Sequence, residues 1–205
     1  MKKNKQKELT LKTLNHYSQN PSGFWEGTKD HDVLQNITAL LNNIQGDAPF
    51  KILDFGCGPG RDLKQFTDLG HQAYGLDGCE EFCRMAQEHS GCEVYQQDFL
   101  EVKLADNFYD GIFANASLFH VPKKHLPELI CTFHQSLKPN GILFSSNPRG
   151  DGEDLRGSRY ANFMQLEGYQ EIVEPEGFKL IDHYYRPQGI PKENCPWLAC
   201  VFIKI

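Results

Sequence analysis

The sequence predicts an α/β domain in three layers, a mainly parallel sheet with helices on both faces. Short β-type runs alternate with stretches of helical periodicity along most of the chain, the pattern left when helices connect parallel strands. One run, Lys51-Ile-Leu-Asp54, passes straight into a glycine-rich turn and then a helical segment. The 205 residues, 40% hydrophobic and 12% aromatic, suffice for one core, and no composition break divides them.

The first dozen residues carry five lysines and little to bury, so a frayed tail or a solvated helix is expected there. Val33, Ile37, Leu40, Leu41 and Ile44 recur at helical spacing, which predicts an amphipathic helix over Asp30 to Ile44 capped by Thr28 or Asp30. Strands are expected at Lys51 to Asp54, Gln72 to Leu76, Glu93 to Tyr95, Tyr109 to Ala114 and Gly141 to Ser146, then at Leu180 to Tyr185 and Trp197 to Ile203. Helices are expected at Arg61 to Leu69, Glu80 to His89, Lys124 to Leu137 and Ala161 to Glu174, punctuated by turn chemistry such as Pro139-Asn140-Gly141.

Composition narrows the function. Lys+Arg number 21 against 27 Asp+Glu, a net charge of −6, the wrong sign for tracking phosphates, so no nucleic-acid partner is expected. Mean hydropathy is −0.52 and no run of about 18 apolar residues occurs, so no membrane partner is expected. The charged N-terminus lacks the apolar run of a signal peptide. Seven cysteines without a CxxC pair read as reduced, mostly buried thiols, with no metal site. A cytoplasmic location follows as the expectation.

The most informative segment is Lys51-Ile-Leu-Asp-Phe-Gly-Cys-Gly-Pro-Gly-Arg-Asp62. Alternate glycines after a strand permit positive φ and let a ligand approach the backbone. A dinucleotide fingerprint needs glycine where Arg61 stands, and no Gly-Lys-Ser/Thr closes a phosphate loop. A carboxylate at Asp54 repels a pyrophosphate but suits an ammonium. S-adenosylmethionine carries an ammonium and a sulfonium and no phosphate.

Asp54-x-Gly56-Cys57-Gly58-x-Gly60, its place after the first strand and the order of elements resemble the first motif of the class I (Rossmann-like) S-adenosylmethionine-dependent methyltransferases. The resemblance implies a three-layer Rossmann-like methyltransferase fold, a mainly parallel seven-stranded sheet with the last strand antiparallel. It implies S-adenosylmethionine as cofactor, with Asp54, Gly56, Cys57, Gly58, Gly60 and Arg61 at its methionine end. It places Asp77 and Gly78 at the ribose, where a carboxylate accepts from two adjacent hydroxyls. Asp98 and Phe99 then face the adenine, and the segment from Asn115 and Ala116 to His120 lines donor and acceptor. Residues 1–28 are expected as an N-terminal tail and active-site lid, in which Tyr17 and Trp25 shield the sulfonium, and residues 29–205 as the methyltransferase domain.

Methyl transfer from a sulfonium is an in-line displacement, which asks the protein to align a nucleophile and exclude water. His120 is the candidate base, with a packing role as the alternative. Asn147, Arg149, Tyr160 and Tyr184 are candidate acceptor contacts, and Arg149 or Arg159 is suited to grip a carboxylate bidentately. Arg156, in the same loop, reads as a solvated, self-paired residue. A small-molecule acceptor methylated at N, S or O is the leading expectation. A protein acceptor, a non-catalytic S-adenosylmethionine-binding subunit and a nicotinamide dehydrogenase are the rivals.

Overall fold

The computed structural model of the protein describes residues 2–157 and 159–205, with side chains from residue 8 onward except that of Arg156, so the reading of Arg156 lies outside the described residues. In chain order the elements are α1 (Lys2–Ser18), α2 (Pro21–Thr28), α3 (Leu34–Leu41), β1 (Lys51–Phe55), α4 (Arg61–Asp68), β2 (Gln72–Asp77), α5 (Glu80–Ser90), β3 (Glu93–Gln96), β4 (Tyr109–Asn115), α6 (Leu126–Ser136), β5 (Leu137–Pro148), β6 (Gly152–Arg156), β7 (Arg159–Phe163), α7 (Leu166–Val173), β8 (Phe178–Arg186) and β9 (Trp197–Lys204). Seven strands form one sheet in the order β3-β2-β1-β4-β5-β9-β8. The first five strands of the chain pair in parallel, and β9 lies antiparallel between β5 and β8. The expected sheet is therefore present.

Alternation along the strands sends neighbouring side chains to opposite layers. Ile52 and Phe113 pack with Ile37, Leu40, Leu63 and Phe66 from α3 and α4. Leu53, Phe55 and Ile112 pack on the other face with Leu129, Ile130 and Phe133 of α6. Each such side chain contributes about 1.5–3 kcal/mol by leaving water, so the two layers clamp the sheet and fix the positions of its strand ends.

Three local expectations are corrected. The helix expected from Ala161 begins only at Leu166, and Ala161 to Phe163 belong instead to β7, paired with β6 in a hairpin. Tyr160 and Asn162, two residues apart, share one face of an extended strand. The Tyr160 hydroxyl donates to Glu153, and the buried Asn162 amide donates to the carbonyls of Leu118 at 3.3 Å and Val121 at 2.6 Å. Tertiary partners thus outweigh local helical preference.

Second, α1 is more than a solvated tail. Its Thr13 hydroxyl is buried and accepts from the Tyr160 N–H at 3.0 Å, and Leu14 packs against Gly78 so closely that a Cβ there would lie 2.7 Å from it. Third, the N-cap of α3 is Val33, with Asp32 just before it accepting the Leu34 N–H at 2.9 Å, while the Thr28 hydroxyl donates to the Phe24 carbonyl within α2.

Candidate active site

Chain connections leave β1 toward β2 on one side and β4 lies on the other, so a crevice opens above the carboxyl ends of these strands. The crevice is lined by Gly56, Gly58, Asp77, Gly78, Asp98, Phe99, Ala116, Ser117 and His120 from the sheet side. Thr10, Thr13, Leu14, Tyr17 and Phe24 of α1 and α2 cover it, together with Phe82.

The glycine loop forms because three residues adopt conformations that a side chain resists. Gly56, Gly58 and Gly60 have φ of +75°, +52° and +92°. Gly56 and Gly58 line the cleft, and Gly60 serves packing: a Cβ there would sit 2.7 Å from the Ala86 backbone of α5. Asp77 ties the loop to β2, its carboxylate accepting from Gly58 N–H at 3.0 Å and Cys79 N–H at 2.9 Å. Burial raises its carboxyl above the ordinary value of 3.8, opposed by those backbone N–H bonds. Asp98 accepts the Leu100 N–H at 2.9 Å, and Phe99 leans on Phe55 with ring centroids 4.3 Å apart.

Asp54, in β1 just before the loop, is 2% exposed and does not line the cleft, and its Oδ2 has no hydrogen-bond partner. Burial, reinforced by nearby Asp62, drives its carboxyl well above 3.8. The Ser117 hydroxyl is also buried and unpartnered, and a Cβ on Gly56 would meet the Ser117 Cβ at 2.4 Å. A carboxylate with one oxygen left without a partner behind a side-chain-free floor fits a ligand that brings an ammonium group and lies against the backbone.

At the covered end the Tyr160 carbonyl lies 2.7 Å from His120 Nδ1. A carbonyl only accepts, so Nδ1 carries the proton. His120 Nε2 is then the acceptor, and the Tyr17 hydroxyl donates to it at 2.7 Å. Burial, the largest cause, lowers the imidazole from 6.5 to about 4, so it is neutral at physiological pH. The Tyr17 phenol is raised above 10.0 by burial, against a side-chain hydrogen bond from Arg159 and the pull of its charge.

Several expected contacts lie elsewhere. Trp25 stacks edge-on against His89 at 4.8 Å, and its neighbour Phe24 faces the cleft instead. Arg61 is held by Asp62 and donates to the Thr28 carbonyl at 2.8 Å, fastening the end of α2. Asn115 donates to Asp62 at 3.0 Å and accepts from Asn36 at 2.9 Å, while Asn36 accepts from the Tyr184 hydroxyl at 2.9 Å. Asn115 and Tyr184 thus belong to a buried polar chain behind the cleft, one that sequence reasoning missed at Asn36. Cys57 is buried against Gly75 and its thiol is pushed up by desolvation.

Asn147 accepts the Phe119 N–H at 3.1 Å, and Tyr160 reaches the site through its backbone. Arg149 donates to the carbonyls of Lys192 and Glu193 and does not reach the cleft. Tyr17 and the Asn115–His120 segment, through Ala116, Ser117 and His120, line the cleft as expected, whereas Thr10, Thr13 and Leu14 were missed, although with Tyr17 their spacing is helical. Among the described residues no cluster of His, Cys, Asp and Glu is arranged to hold a metal, and no helix is long and apolar enough to cross a membrane.

A Rossmann-like sheet, a glycine loop and carboxylates at successive strand ends define a protein of the methyltransferase type. The family model described as a methyltransferase domain matches residues 53–145. An uncharacterized methyltransferase of Staphylococcus carnosus is 22% identical over 186 residues, 86% of this chain and 89% of that protein. The ubiquinone biosynthesis O-methyltransferase of Proteus mirabilis is 29% identical over 182 residues, 82% of this chain and 71% of its own. The solved 1,6-didemethyltoxoflavin-N1-methyltransferase of Burkholderia thailandensis, with bound S-adenosylhomocysteine, superposes with a TM-score of 0.73 at 20% identity, covering 95% of this chain and 87% of that one. The chain carries a methyltransferase domain over residues 53–145 and has the fold of the S-adenosylmethionine-dependent methyltransferases. It is an enzyme, and S-adenosylmethionine is its methyl donor.

Proposed function

We propose that the protein transfers the methyl group to an N, O or S atom of a small molecule held beneath α1 and α2, which act as a lid on the 29–205 domain. One observation carries this reading: Tyr17 of α1 bonds His120 across the mouth of the cleft, so the acceptor end is a covered chamber. Tyr17, Phe24, Phe82 and Phe99 wall it, which suits a small, partly apolar acceptor and leaves no broad face for a polymer. The names of the Burkholderia and Proteus relatives also point to small acceptors. Seven free cysteines, five of them buried, suit a reducing compartment such as the cytoplasm.

When bound, S-adenosylmethionine supplies an electrophilic methyl group. On this reading Asp54 and the Gly56 and Gly58 backbone receive its methionine end, Asp77 the ribose, and Asp98 with Phe99 the adenine. The lid excludes water and fixes the approach of the nucleophile, which is the main demand of the displacement. Neutral His120, through Tyr17, takes the proton of an acceptor that arrives protonated.

The test is incubation of the protein with methyl-tritiated donor and a cell extract separated by size. Label in the low-mass fraction supports the proposal. Label confined to macromolecules overturns it in favour of a protein acceptor, and donor binding with no transfer overturns it in favour of a non-catalytic subunit.

A further inference from the structure

Two side chains of opposite charge, neither in an ion pair among the described residues, lie behind the walls of the covered cleft without lining it. Behind the floor is Asp54. At the lid is Arg159, whose guanidinium carbon lies 5.8 Å from the centre of the Tyr17 ring. Its Nε is buried without a hydrogen-bond partner, and among the described residues it makes no ion pair.

The other four arginines with described side chains are committed. Arg61 is on Asp62 and Arg84 on Glu88. Arg149 holds two backbone carbonyls, and Arg186 holds that of Asp32. A half-buried guanidinium kept without a carboxylate is costly unless an anion joins it.

Its position singles out the acceptor side. Arg159 begins β7, and the next residue, Tyr160, holds His120 through its carbonyl and Thr13 of the lid through its N–H. The charge of Arg159 is felt by both Tyr17 and His120. Asp54 has Asp62, Arg61 and Asp77 for charged neighbours instead. The ammonium-binding and anion-binding ends of the site are therefore separate.

We infer that Arg159 is a specificity-determining residue that binds the carboxylate of the acceptor, so that the enzyme methylates small carboxylic acids carrying an amine, hydroxyl or thiol. The planar fork of arginine matches a carboxylate with two parallel hydrogen bonds. The acid group anchored there leaves the nucleophilic atom to face the Tyr17 hydroxyl. In the transfer, the acceptor's lone pair forms the new bond to the methyl carbon as the carbon–sulfur bond breaks. The acceptor proton passes to the Tyr17 oxygen while the Tyr17 proton moves to His120 Nε2. The inference rests on the small-molecule reading above.

The same anion chemistry has a second source, the donor's own carboxylate, and the experiment separates the two. Calorimetry measures S-adenosylhomocysteine binding to wild type, Arg159→Gln and Arg159→Lys. Methyl transfer to, and binding by the product-loaded enzyme of, three acid and amide pairs is then measured: glycine and glycinamide, 4-hydroxybenzoate and 4-hydroxybenzamide, mercaptoacetate and mercaptoacetamide.

The expected result is preference for at least one acid over its amide. Arg159→Gln should raise the KM for that acid about 10- to 100-fold, the range for losing a charge-assisted pair, with product binding unchanged within about twofold. Arg159→Lys should recover part of the loss. Three results overturn the inference: no acid preferred over its amide, an unchanged KM in Arg159→Gln, or product binding weakened about tenfold or more, which assigns Arg159 to the donor. Failure of wild type to bind the product at all would instead remove the proposed function.

Discussion

Gly56→Ala tests the cleft floor most sharply. Gly56 has φ of +75°, a conformation that costs an L-residue about 1–2 kcal/mol. The added Cβ would also lie 2.4 Å from the Ser117 Cβ, so β4 and the loop must part by on the order of 1 Å, an overpacking cost of about 1–3 kcal/mol. Together the penalty is about 2–5 kcal/mol, a large share of a typical 5–15 kcal/mol stability.

Urea unfolding should show the midpoint falling by about 1–2.5 M for a slope near 2 kcal/mol/M. S-adenosylhomocysteine binding should be lost even where the variant remains folded. Ser117→Gly removes the clashing carbon, so in the double variant the strain of Gly56→Ala should return to about 1–2 kcal/mol, a coupling of about 1 kcal/mol or more. The reasoning is refuted if Gly56→Ala unfolds within about 0.5 kcal/mol of wild type, or if the two changes simply add.

Other outcomes follow from the same geometry. His120 is held near 4 in the fold against 6.5 unfolded, so the unfolded chain binds the extra proton between those values. Its contribution is complete above 6.5 and is lost as pH falls toward 4. Wild type should lose roughly 2–3 kcal/mol more than His120→Gln between pH 7.5 and 4.5, measured by urea unfolding at each pH. Asp54 has the opposite sign: its carboxyl is raised well above 3.8 in the fold, so its contribution to the stability of unliganded wild type is lost as pH rises above 3.8. Asp54→Asn should remove this slope in urea titrations and weaken S-adenosylhomocysteine binding in calorimetry. Arg149→Ala should leave methyl transfer within about twofold and lower stability by about 1 kcal/mol in urea, because its partners are the carbonyls of Lys192 and Glu193.

The sequence showed most clearly what depends on local chemistry. A strand, three glycines forced into positive φ and a helix are neighbours in the chain, so Asp54 to Gly60 is legible without knowing the fold. Asp77 and Asp98 are legible for the same reason, each closing a short β-type run. The hairpin of β6 and β7 was not, because Asn162 finds its carbonyls at Leu118 and Val121, more than 40 residues upstream. Trp25 and Phe24 differ by one helical step of about 100°, and only the docking of α2 shows that Phe24 enters the cleft. Five lysines masked the inward face of α1, although Thr10, Thr13, Leu14 and Tyr17 carry its period. Asn36 was invisible as a partner of Asn115 because the two are 79 residues apart.

The central claim is that the cleft above β1, β2 and β4 binds S-adenosylmethionine through the carboxylates at those strand ends. Calorimetry of the wild-type protein and Asp77→Asn with S-adenosylhomocysteine and, separately, with a nicotinamide dinucleotide tests it directly. One site per chain for S-adenosylhomocysteine is expected, weakened at least about tenfold by Asp77→Asn, with no heat from the dinucleotide. Binding of the dinucleotide in place of S-adenosylhomocysteine, or affinity for S-adenosylhomocysteine indifferent to Asp77, would contradict it.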